Sequence, residues 1–188
     1  MEILSWPEVE VPRTVRRQVV ALRNQAWPDD TTSDPEPRHD PALAPVSLVL
    51  VDDGHVLAAL AILSKEINHR GQRYAASGLA AGVVDRAERR RGCGRRLIVA
   101  AREAMGAAGA DLAIFTCEAP LAPFYESGGY VVLPGAVLVG GVPDDPFPSD
   151  RFDKVTLWHA YTSRAQGRAA DFRGARIELY SGTIDRLW

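Results

Sequence analysis

The most informative segment of the chain reads Arg89-Arg90-Arg91-Gly92-Cys93-Gly94-Arg95-Arg96-Leu97. It follows an apolar run, 77–84, that is typical of a strand, and it opens an amphipathic run, 97–107, that predicts a helix. Free N–H groups and the helix dipole attract anions to such a helix start, and glycines let the backbone approach them closely. Arginines add charge-assisted contacts to phosphate oxygens. The segment therefore predicts a phosphate-binding turn, with a solvated basic helix start as the alternative.

The positions of the glycines exclude two common phosphate-binding loops. A Walker loop ends in Gly-Lys-Ser/Thr, which is absent here, and a dinucleotide fingerprint needs a third glycine near Leu97. The segment instead fits the pattern Arg/Gln-x-x-Gly-x-Gly/Ala and resembles the pyrophosphate loop of the GCN5-related N-acetyltransferases. In this resemblance Arg89, Gly92 and Gly94 hold the motif positions, and Val84 ends the preceding strand.

A second segment, about thirty residues later, strengthens this resemblance. Its sequence is Ala122-Pro123-Phe124-Tyr125-Glu126-Ser127-Gly128-Gly129-Tyr130, similar to the family's short helix that carries Phe-Tyr and is followed by glycine and an aromatic residue. The resemblance implies that Tyr125 is the acid that protonates the departing thiolate. The alternative for Tyr125 is a core aromatic whose hydroxyl makes a local hydrogen bond.

Three further segments resemble the aminoglycoside 2′-N-acetyltransferases: 69–72, 141–153 and the ending 178–188. The similarity covers roughly residues 40–188 and is weak outside the two motifs. The family carries a glutamate base in the strand before the pyrophosphate loop, and that position is Ala80 or Ala81 here. The base is therefore open: we predict Glu118, against a solvated loop carboxylate as the alternative, with Asp40, His39 and the Trp188 carboxylate as rivals.

The resemblance implies an acetyl-CoA-dependent N-acetyltransferase with a mixed, mostly antiparallel central sheet flanked by helices. The cofactor would be held by the residues of the loop and of the strand before it, namely Val83, Val84, Arg89, Arg90, Arg91, Gly92, Cys93, Gly94 and Arg95. The acceptor would be an aminoglycoside-type antibiotic, for example a kasugamycin-like one. It would be held by Asp40, Ala80, Asp185 and Trp188. Another small amine or a protein N-terminus is the alternative acceptor, and a non-catalytic acyl-CoA-binding regulatory module is the alternative function.

Acidic residues cluster in the loops 29–40 and 144–153, each with a single arginine. If these loops flank the catalytic edge, they would attract a polycation, although solvated loops are the common fate of such charges. Trp158 or Trp188 could stack on sugar faces, with core packing as the alternative.

The composition sets limits on the class of protein. The chain has 188 residues, 46% hydrophobic and 24% charged, which fits one domain over 1–188. A net charge of −2 argues against a nucleic-acid partner, and two cysteines do not form a disulfide framework. No apolar stretch has the length of a membrane span and no signal peptide opens the chain, so the cytoplasm is the expected compartment. The histidines show no ligand spacing, which predicts no metal. This composition is also compatible with a homodimer.

Hydrophobic periodicity predicts the order of the elements. Helices are expected at 13–27, 93–108 and 121–127, and the segment 28–41 is expected to be a loop. Strands are expected at 47–51, 56–63, 74–84, 111–116, 131–133, 136–139 and 154–161, followed by a mostly irregular tail with one short strand. The two glycines of the strand 74–84 suggest a bulge or a close backbone approach.

Overall fold

The computed structural model of the chain describes residues 1–28 and 36–188, and within them it contains ten strands and five α-helices. The strands are β1 (Glu2–Pro7), β2 (Val46–Asp52), β3 (His55–His69), β4 (Gln72–Val84), β5 (Leu112–Glu118), β6 (Val131–Val132), β7 (Val137–Val142), β8 (Asp145–Pro148), β9 (Lys154–Ala160) and β10 (Arg176–Glu178). The helices are α1 (Arg13–Ala26), α2 (Cys93–Ala107), α3 (Ala122–Glu126), α4 (Ser163–Gly167) and α5 (Ala169–Phe172).

Seven strands form the central sheet in the order β1-β2-β3-β4-β5-β9-β6. Every neighbouring pair in it is antiparallel except β4 and β5, which are parallel. Strands β10, β7 and β8 form a separate three-stranded sheet. The mixed, mostly antiparallel sheet flanked by helices that the sequence predicts is confirmed.

Helices α1 and α2 each bury one apolar face against the sheet. Val19 and Leu22 of α1 pack with Val49, Val51 and Val83 in a small cluster. Leu97, Ile98, Ala101 and Met105 of α2 belong to the main core. At roughly 1.5–3 kcal/mol for each large apolar side chain that is fully buried, these faces hold both helices onto the sheet.

Strands β2 and β3 form a hairpin through the residues Asp53 and Gly54, which both have positive φ values, 47° and 76°. Two central residues of this kind define the type I′ turn that suits the twist of a two-residue hairpin. This turn fixes which faces of β2 and β3 enter the core.

The structure differs from the predicted elements at both ends of the chain. Strand β1 was not expected, and it pairs with β2 along its whole length. The tail contains the one short strand that was expected, β10, which joins β7 and β8 in the second sheet, but it also contains two helices that were not expected, α4 and α5. Strand β3 continues to His69 rather than ending at residue 63, and its extension pairs with β4 across a hairpin. Strands β1 and β10 pair with strands that are distant in sequence, which local periodicity does not report.

Candidate functional site

Strands β4 and β5 separate after only two residue pairs, Ala76 with Leu112 and Ser77 with Ala113. Beyond Ser77 the edge of β4 that faces β5 has no partner strand among residues 1–28 and 36–188. The two strands therefore enclose a fork that opens into a cleft of about 600 Å³, a size usual for small-molecule sites. Residues 79–84 form one wall, and residues 116–118 with α3 form another.

The wall of the cleft that β4 forms contains a β-bulge. Ala59 pairs with Val83 and Ala61 pairs with Ala80, so two residues, Ala81 and Gly82, oppose the single residue Leu60. Ala81 has a φ of 51°, in the left-handed region that L residues seldom adopt. The bulge and close approach suggested by the strand glycines are confirmed. Backbone groups of β4 here face a ligand space instead of a neighbouring strand.

The indole of Trp188 fills the base of the fork. Trp188 is 3% exposed, and its Nε1 donates a hydrogen bond of 2.8 Å to the carbonyl oxygen of Ile114 in β5. The ring therefore packs in the core, the alternative given for it above, although Trp188 also contributes to the lining of the cleft. Trp158 is likewise buried and packs against Phe172 at a centroid distance of 5.3 Å.

Helix α2 begins at the mouth of the cleft in the phosphate-binding turn that the sequence predicts. Gly92 is its N-cap with a φ of 86°, and no side chain caps the first turn. Arg89 and Arg90 are exposed and make no ion pair within the described part of the chain. Arg91 pairs with Glu88 at 2.9 Å. The first-turn N–H groups and two arginines thus remain available to an anion.

Glycine is required at the two positions of this turn for different structural reasons. A Cβ on Gly92 would meet nothing within 4 Å, so its left-handed φ is what requires glycine. A Cβ on Gly94 would lie 3.1 Å from Phe124 and 3.2 Å from Val84, so close packing of α2 against the cleft requires glycine there.

The other residues predicted to bind the cofactor differ in their exposure and in their contacts. The Cys93 side chain is 1% exposed and the Val83 side chain packs in the α1 cluster, so each can offer only backbone groups. Arg95 is exposed and its Nε donates to the Ser127 carbonyl oxygen at 3.1 Å. The sequence predicts the segment but does not distinguish residues that can contribute side chains from those that can contribute only backbone groups.

Tyr125 projects from α3 toward the bulge. Its hydroxyl oxygen lies 3.9 Å from the position that a Cβ on Gly82 would occupy. Its ring packs edge-on against Phe115 and Phe124, at centroid distances of 5.1 Å and 5.0 Å. Burial, and to a lesser degree the Cys117 thiol, raises the pKa of Tyr125 to about 12, so the hydroxyl stays protonated at neutral pH.

Strand β5 brings Cys117 and Glu118 to the cleft. Glu118 is exposed at the end of the strand, and its Cα partner in the ladder is Lys154 of β9, which also lines the cleft. Burial raises the pKa of Cys117 to about 11, against a smaller lowering by Lys154. Cys117 is therefore a thiol rather than a nucleophilic thiolate at neutral pH.

His39 and Asp185, which both line the cleft, form a hydrogen-bonded pair. Nδ1 of His39 lies 2.6 Å from Oδ1 of Asp185, and the two side chains are 2% and 9% exposed. The Asp40 amide donates to Oδ2 of Asp185 at 2.9 Å. Burial raises the pKa of Asp185, but these hydrogen bonds and nearby positive charge outweigh it, so the pKa lies below its ordinary value.

Several predicted acceptor contacts are not brought to the cleft. The carboxylate of Asp40 instead accepts from the Ala42 amide at 2.9 Å and caps a short turn. In the loop 144–153, Asp145 and Asp150 pair with Arg186 and Arg176 at 3.7 Å and 3.3 Å, and no aspartate of that loop lines the cleft. In the loop 29–40, Asp29, Asp30 and Asp34 lie outside the described residues. Ala80 does line the cleft, without the carboxylate that its position would carry in the aminoglycoside 2′-N-acetyltransferases.

The described residues provide neither a metal-binding cluster nor a helix suited to cross a membrane. Among residues 1–28 and 36–188, no group of three or more His, Cys, Asp or Glu side chains is placed to hold a metal ion. Over the same ranges, no helix combines the length and the apolar character that crossing a membrane requires.

Comparison with known proteins assigns the chain to a family. A family model for the acetyltransferase (GNAT) domain matches residues 11–133, and the chain belongs to this family. No match to a curated protein reaches significance.

Solved structures share the fold at low sequence identity. An acyl-CoA N-acyltransferase from Pseudomonas aeruginosa is 17% identical with a TM-score of 0.59, over 85% of this chain and 99% of that one. An aminoglycoside 6′-N-acetyltransferase complexed with coenzyme A is 14% identical with a TM-score of 0.61, over 87% and 99%. The aminoglycoside 6′-N-acetyltransferase from Enterococcus faecium is 14% identical with a TM-score of 0.59, over 87% and 99%. The chain is thus an acyl-CoA-dependent N-acetyltransferase whose co-substrate is acetyl-CoA.

Proposed function

We propose that the cleft transfers the acetyl group of acetyl-CoA directly to a primary amine of an amino sugar of the kasugamycin type, an acetylation that would confer antibiotic resistance. The observation that carries the proposal is the position of the Tyr125 hydroxyl, beside the β4 bulge in the fork between β4 and β5. A thioester laid along β4 would present its sulfur to this hydroxyl and its carbonyl carbon to the open side of the cleft.

The turn at the start of α2 would hold the pyrophosphate of the cofactor. The uncapped first-turn N–H groups and the exposed Arg89 and Arg90 supply the donors and charge that two phosphates need. The pantetheine arm would then run along the free edge of β4 at Val83 and Val84, where its amides would replace a strand partner. Charge developing on the thioester oxygen would be stabilised by a backbone N–H of the bulge.

Transfer would proceed in one displacement. The neutral amine attacks the carbonyl carbon, the C–N bond forms and the C–S bond breaks. The thiolate takes a proton from Tyr125, and the proton that the nitrogen loses restores the Tyr125 hydroxyl. A covalent acetyl-cysteine intermediate is disfavoured, because the raised pKa of Cys117 keeps this thiol protonated. Buried hydroxyls elsewhere in the core are already engaged: those of Tyr130 and Tyr161 donate to the Ile98 and Arg102 carbonyl oxygens.

The charges around the cleft favour an acceptor that carries an acidic group as well as an amine. Glu118 offers an exposed carboxylate, while Lys154, Arg38 and Arg186 bring positive charge to the same lining. Lys154 makes no ion pair within the described part of the chain. A carboxyl-bearing amino sugar such as kasugamycin fits this mixture better than a polycationic aminoglycoside, because Lys154 would attract the acceptor carboxylate and repel an additional ammonium group.

A second candidate acceptor is an amine with an apolar body. Three large apolar side chains in the cleft lining are exposed: Trp27 at 44%, Leu121 at 46% and Ile184 at 60%. Apolar side chains that remain exposed around a cleft are typical of a surface that is covered by a ligand. They could pack against an aromatic or alkyl amine, or against the first side chain of a peptide.

A thiol-release assay with acetyl-CoA tests the proposal and separates the candidates. The acceptors are kasugamycin, kanamycin A, spermidine, tyramine and a short peptide with a free N-terminus, with mass spectrometry to detect acetylated product. Thiol release with kasugamycin in excess over kanamycin A and spermidine supports the proposal. Preference for tyramine or the peptide would replace the amino sugar with the apolar amine, and acetyl-CoA binding without transfer to any acceptor would indicate a non-catalytic acyl-CoA-binding module.

A further inference from the structure

One ring nitrogen of His39 has no hydrogen-bond partner, although the side chain is 2% exposed. Among residues 1–28 and 36–188, Nε2 of His39 is one of few buried side-chain polar atoms without a partner. A buried polar atom left unpaired costs about 1–3 kcal/mol, so such atoms call for a functional explanation. Both His39 and Asp185 line the cleft in which the acceptor must bind.

The protonation of the pair follows from its chemistry. Asp185 is a carboxylate and can only accept, so Nδ1 of His39, at 2.6 Å, must carry the hydrogen. In the neutral ring the lone pair is then on Nε2, the nitrogen without a partner. Asp185 in this way fixes both the tautomer and the orientation of the imidazole, and it stabilises the ring when it becomes charged.

The backbone around His39 is held by two carboxylates. Glu8, which is 8% exposed, accepts from the His39 amide at 3.1 Å and from the Arg38 amide at 3.3 Å. Asp185 accepts from the Asp40 amide at 2.9 Å. The charged groups around the ring are therefore Glu8, Asp40 and Asp185, together with Arg38, the residue before His39.

We infer that His39 is the general base that removes a proton from the acceptor ammonium group and that Asp185 is its positioning residue. The inference rests on the proposed acetylation of an amine. Two protons leave the nitrogen as an ammonium ion becomes an amide: the first goes to His39 Nε2 and then to solvent. The second leaves as the tetrahedral intermediate collapses and restores the proton that Tyr125 gives to the sulfur.

This assignment competes with Glu118, the base predicted from the sequence. Glu118 is exposed at the end of β5. His39 has the orienting partner, the burial and the unpaired atom that Glu118 lacks. Histidine is also the side chain whose ordinary pKa lies nearest to neutral pH, where a general base is most effective.

The test compares pH profiles of four variants, using acetyl-CoA and whichever amine of the panel the wild-type enzyme acetylates fastest. His39→Asn keeps a donor toward Asp185 but removes Nε2, and Asp185→Asn keeps the shape while allowing the wrong tautomer. Glu118→Gln tests the rival base. His69→Asn is the matched control, because His69 is also buried and hydrogen-bonded, at 2.9 Å to the Asp171 carbonyl oxygen, but lies outside the cleft.

The expected result for His39→Asn is a fall in kcat/KM of about 100-fold or more near neutral pH. The deficit should shrink as the pH rises and the amine deprotonates in solution, and the acetyl-CoA affinity should be unchanged. Asp185→Asn should show a similar but smaller pH-dependent loss. His69→Asn should keep the wild-type kinetics, whereas Glu118→Gln should keep the shape of the wild-type pH profile, with any change confined to the KM for the acceptor.

Three outcomes would overturn the inference. A deficit in His39→Asn that is constant across the pH range, accompanied by a lower melting temperature, would make the pair a structural tie between residues 38–40 and the tail. A pH-dependent loss confined to Glu118→Gln would assign the base to Glu118. If the wild-type enzyme acetylates no amine of the panel, the proposed function is overturned. The assignment of a base that acts on such amines is then overturned as well.

Discussion

The indole of Trp188 occupies the space that any side chain at Gly78 would need. A Cβ on Gly78 would lie 2.5 Å from Trp188 Cδ1 and 2.8 Å from the Ile114 carbonyl oxygen, to which the indole Nε1 also donates. Gly78 directly follows Ser77, the last residue of β4 that pairs with β5. The last residue of the chain thus holds apart the two strands that form the cleft.

Gly78→Ala should therefore destabilise the protein and disturb the cleft together. Overpacking of this kind costs about 1–3 kcal/mol, which should appear as a lower melting temperature. Displacement of the indole should also weaken acetyl-CoA binding in calorimetry. Gly167→Ala is the matched control, because a Cβ there would meet nothing within 4 Å. Wild-type stability and affinity in Gly78→Ala would show that Trp188 does not fix the fork.

Gly92→Asp should weaken acetyl-CoA binding by about tenfold or more, because it places a carboxylate against the pyrophosphate and removes charge-assisted contacts. Gly109→Asp is a close control: Gly109 has a φ of 84° against 86° for Gly92, and at both positions a Cβ would meet nothing within 4 Å. The backbone strain is therefore similar in the two variants. Equal acetyl-CoA affinities in calorimetry, with both proteins folded, would remove the pyrophosphate from this turn.

Tyr125→Phe should lower kcat by about 100-fold while leaving stability nearly unchanged, because only the hydroxyl is lost. A pKa of about 12 places deprotonation of Tyr125 well above neutral pH, so the wild-type rate should show no alkaline fall from this group below about pH 11. Tyr161→Phe is the control, since its hydroxyl donates to the Arg102 carbonyl oxygen at 2.8 Å away from the cleft. Steady-state kinetics with equal kcat for Tyr125→Phe and wild type would mean that the thiolate takes its proton elsewhere.

The pair His39–Asp185 should also contribute to stability in a defined pH range. The pKa of Asp185 is lowered in the folded protein from an ordinary value of 3.8. The contribution is therefore complete well above pH 3.8 and is lost as the pH falls through the lower folded value. Asp185→Asn should lower the free energy of unfolding at neutral pH and flatten its decrease in acid, measured by urea denaturation.

Asp52→Asn serves as the comparison for this measurement. The N-terminal ammonium group lowers the pKa of Asp52, but Asp52 lies on the surface, where a pair of charges contributes little. An acid profile of Asp185→Asn that matches both Asp52→Asn and wild type would show that the buried pair adds no stability.

The sequence predicted the features of the site that are local. The phosphate-binding turn, the bulged strand and the short helix with Tyr125 each follow from residues that are adjacent in the chain, since turn glycines and hydrophobic periodicity act within a few residues. The pair of His39 and Asp185 joins residues 146 positions apart and carries no local signal. From the sequence, His39 is predicted only as a rival base and Asp185 only as a substrate contact. The wedge formed by Trp188 was missed for the same reason, because its partner Gly78 is a strand residue far away in the sequence.

A crystal structure of the protein with coenzyme A tests the central claim most directly. We predict that the pyrophosphate lies at the N-terminus of α2 beside Arg89 and Arg90 and that the pantetheine arm runs along β4. The sulfur should lie within hydrogen-bond distance of the Tyr125 hydroxyl. Trp188 should keep its hydrogen bond to Ile114 at the base of the fork. Coenzyme A bound away from the fork, or a sulfur out of reach of Tyr125 in an otherwise intact cleft, would contradict the account.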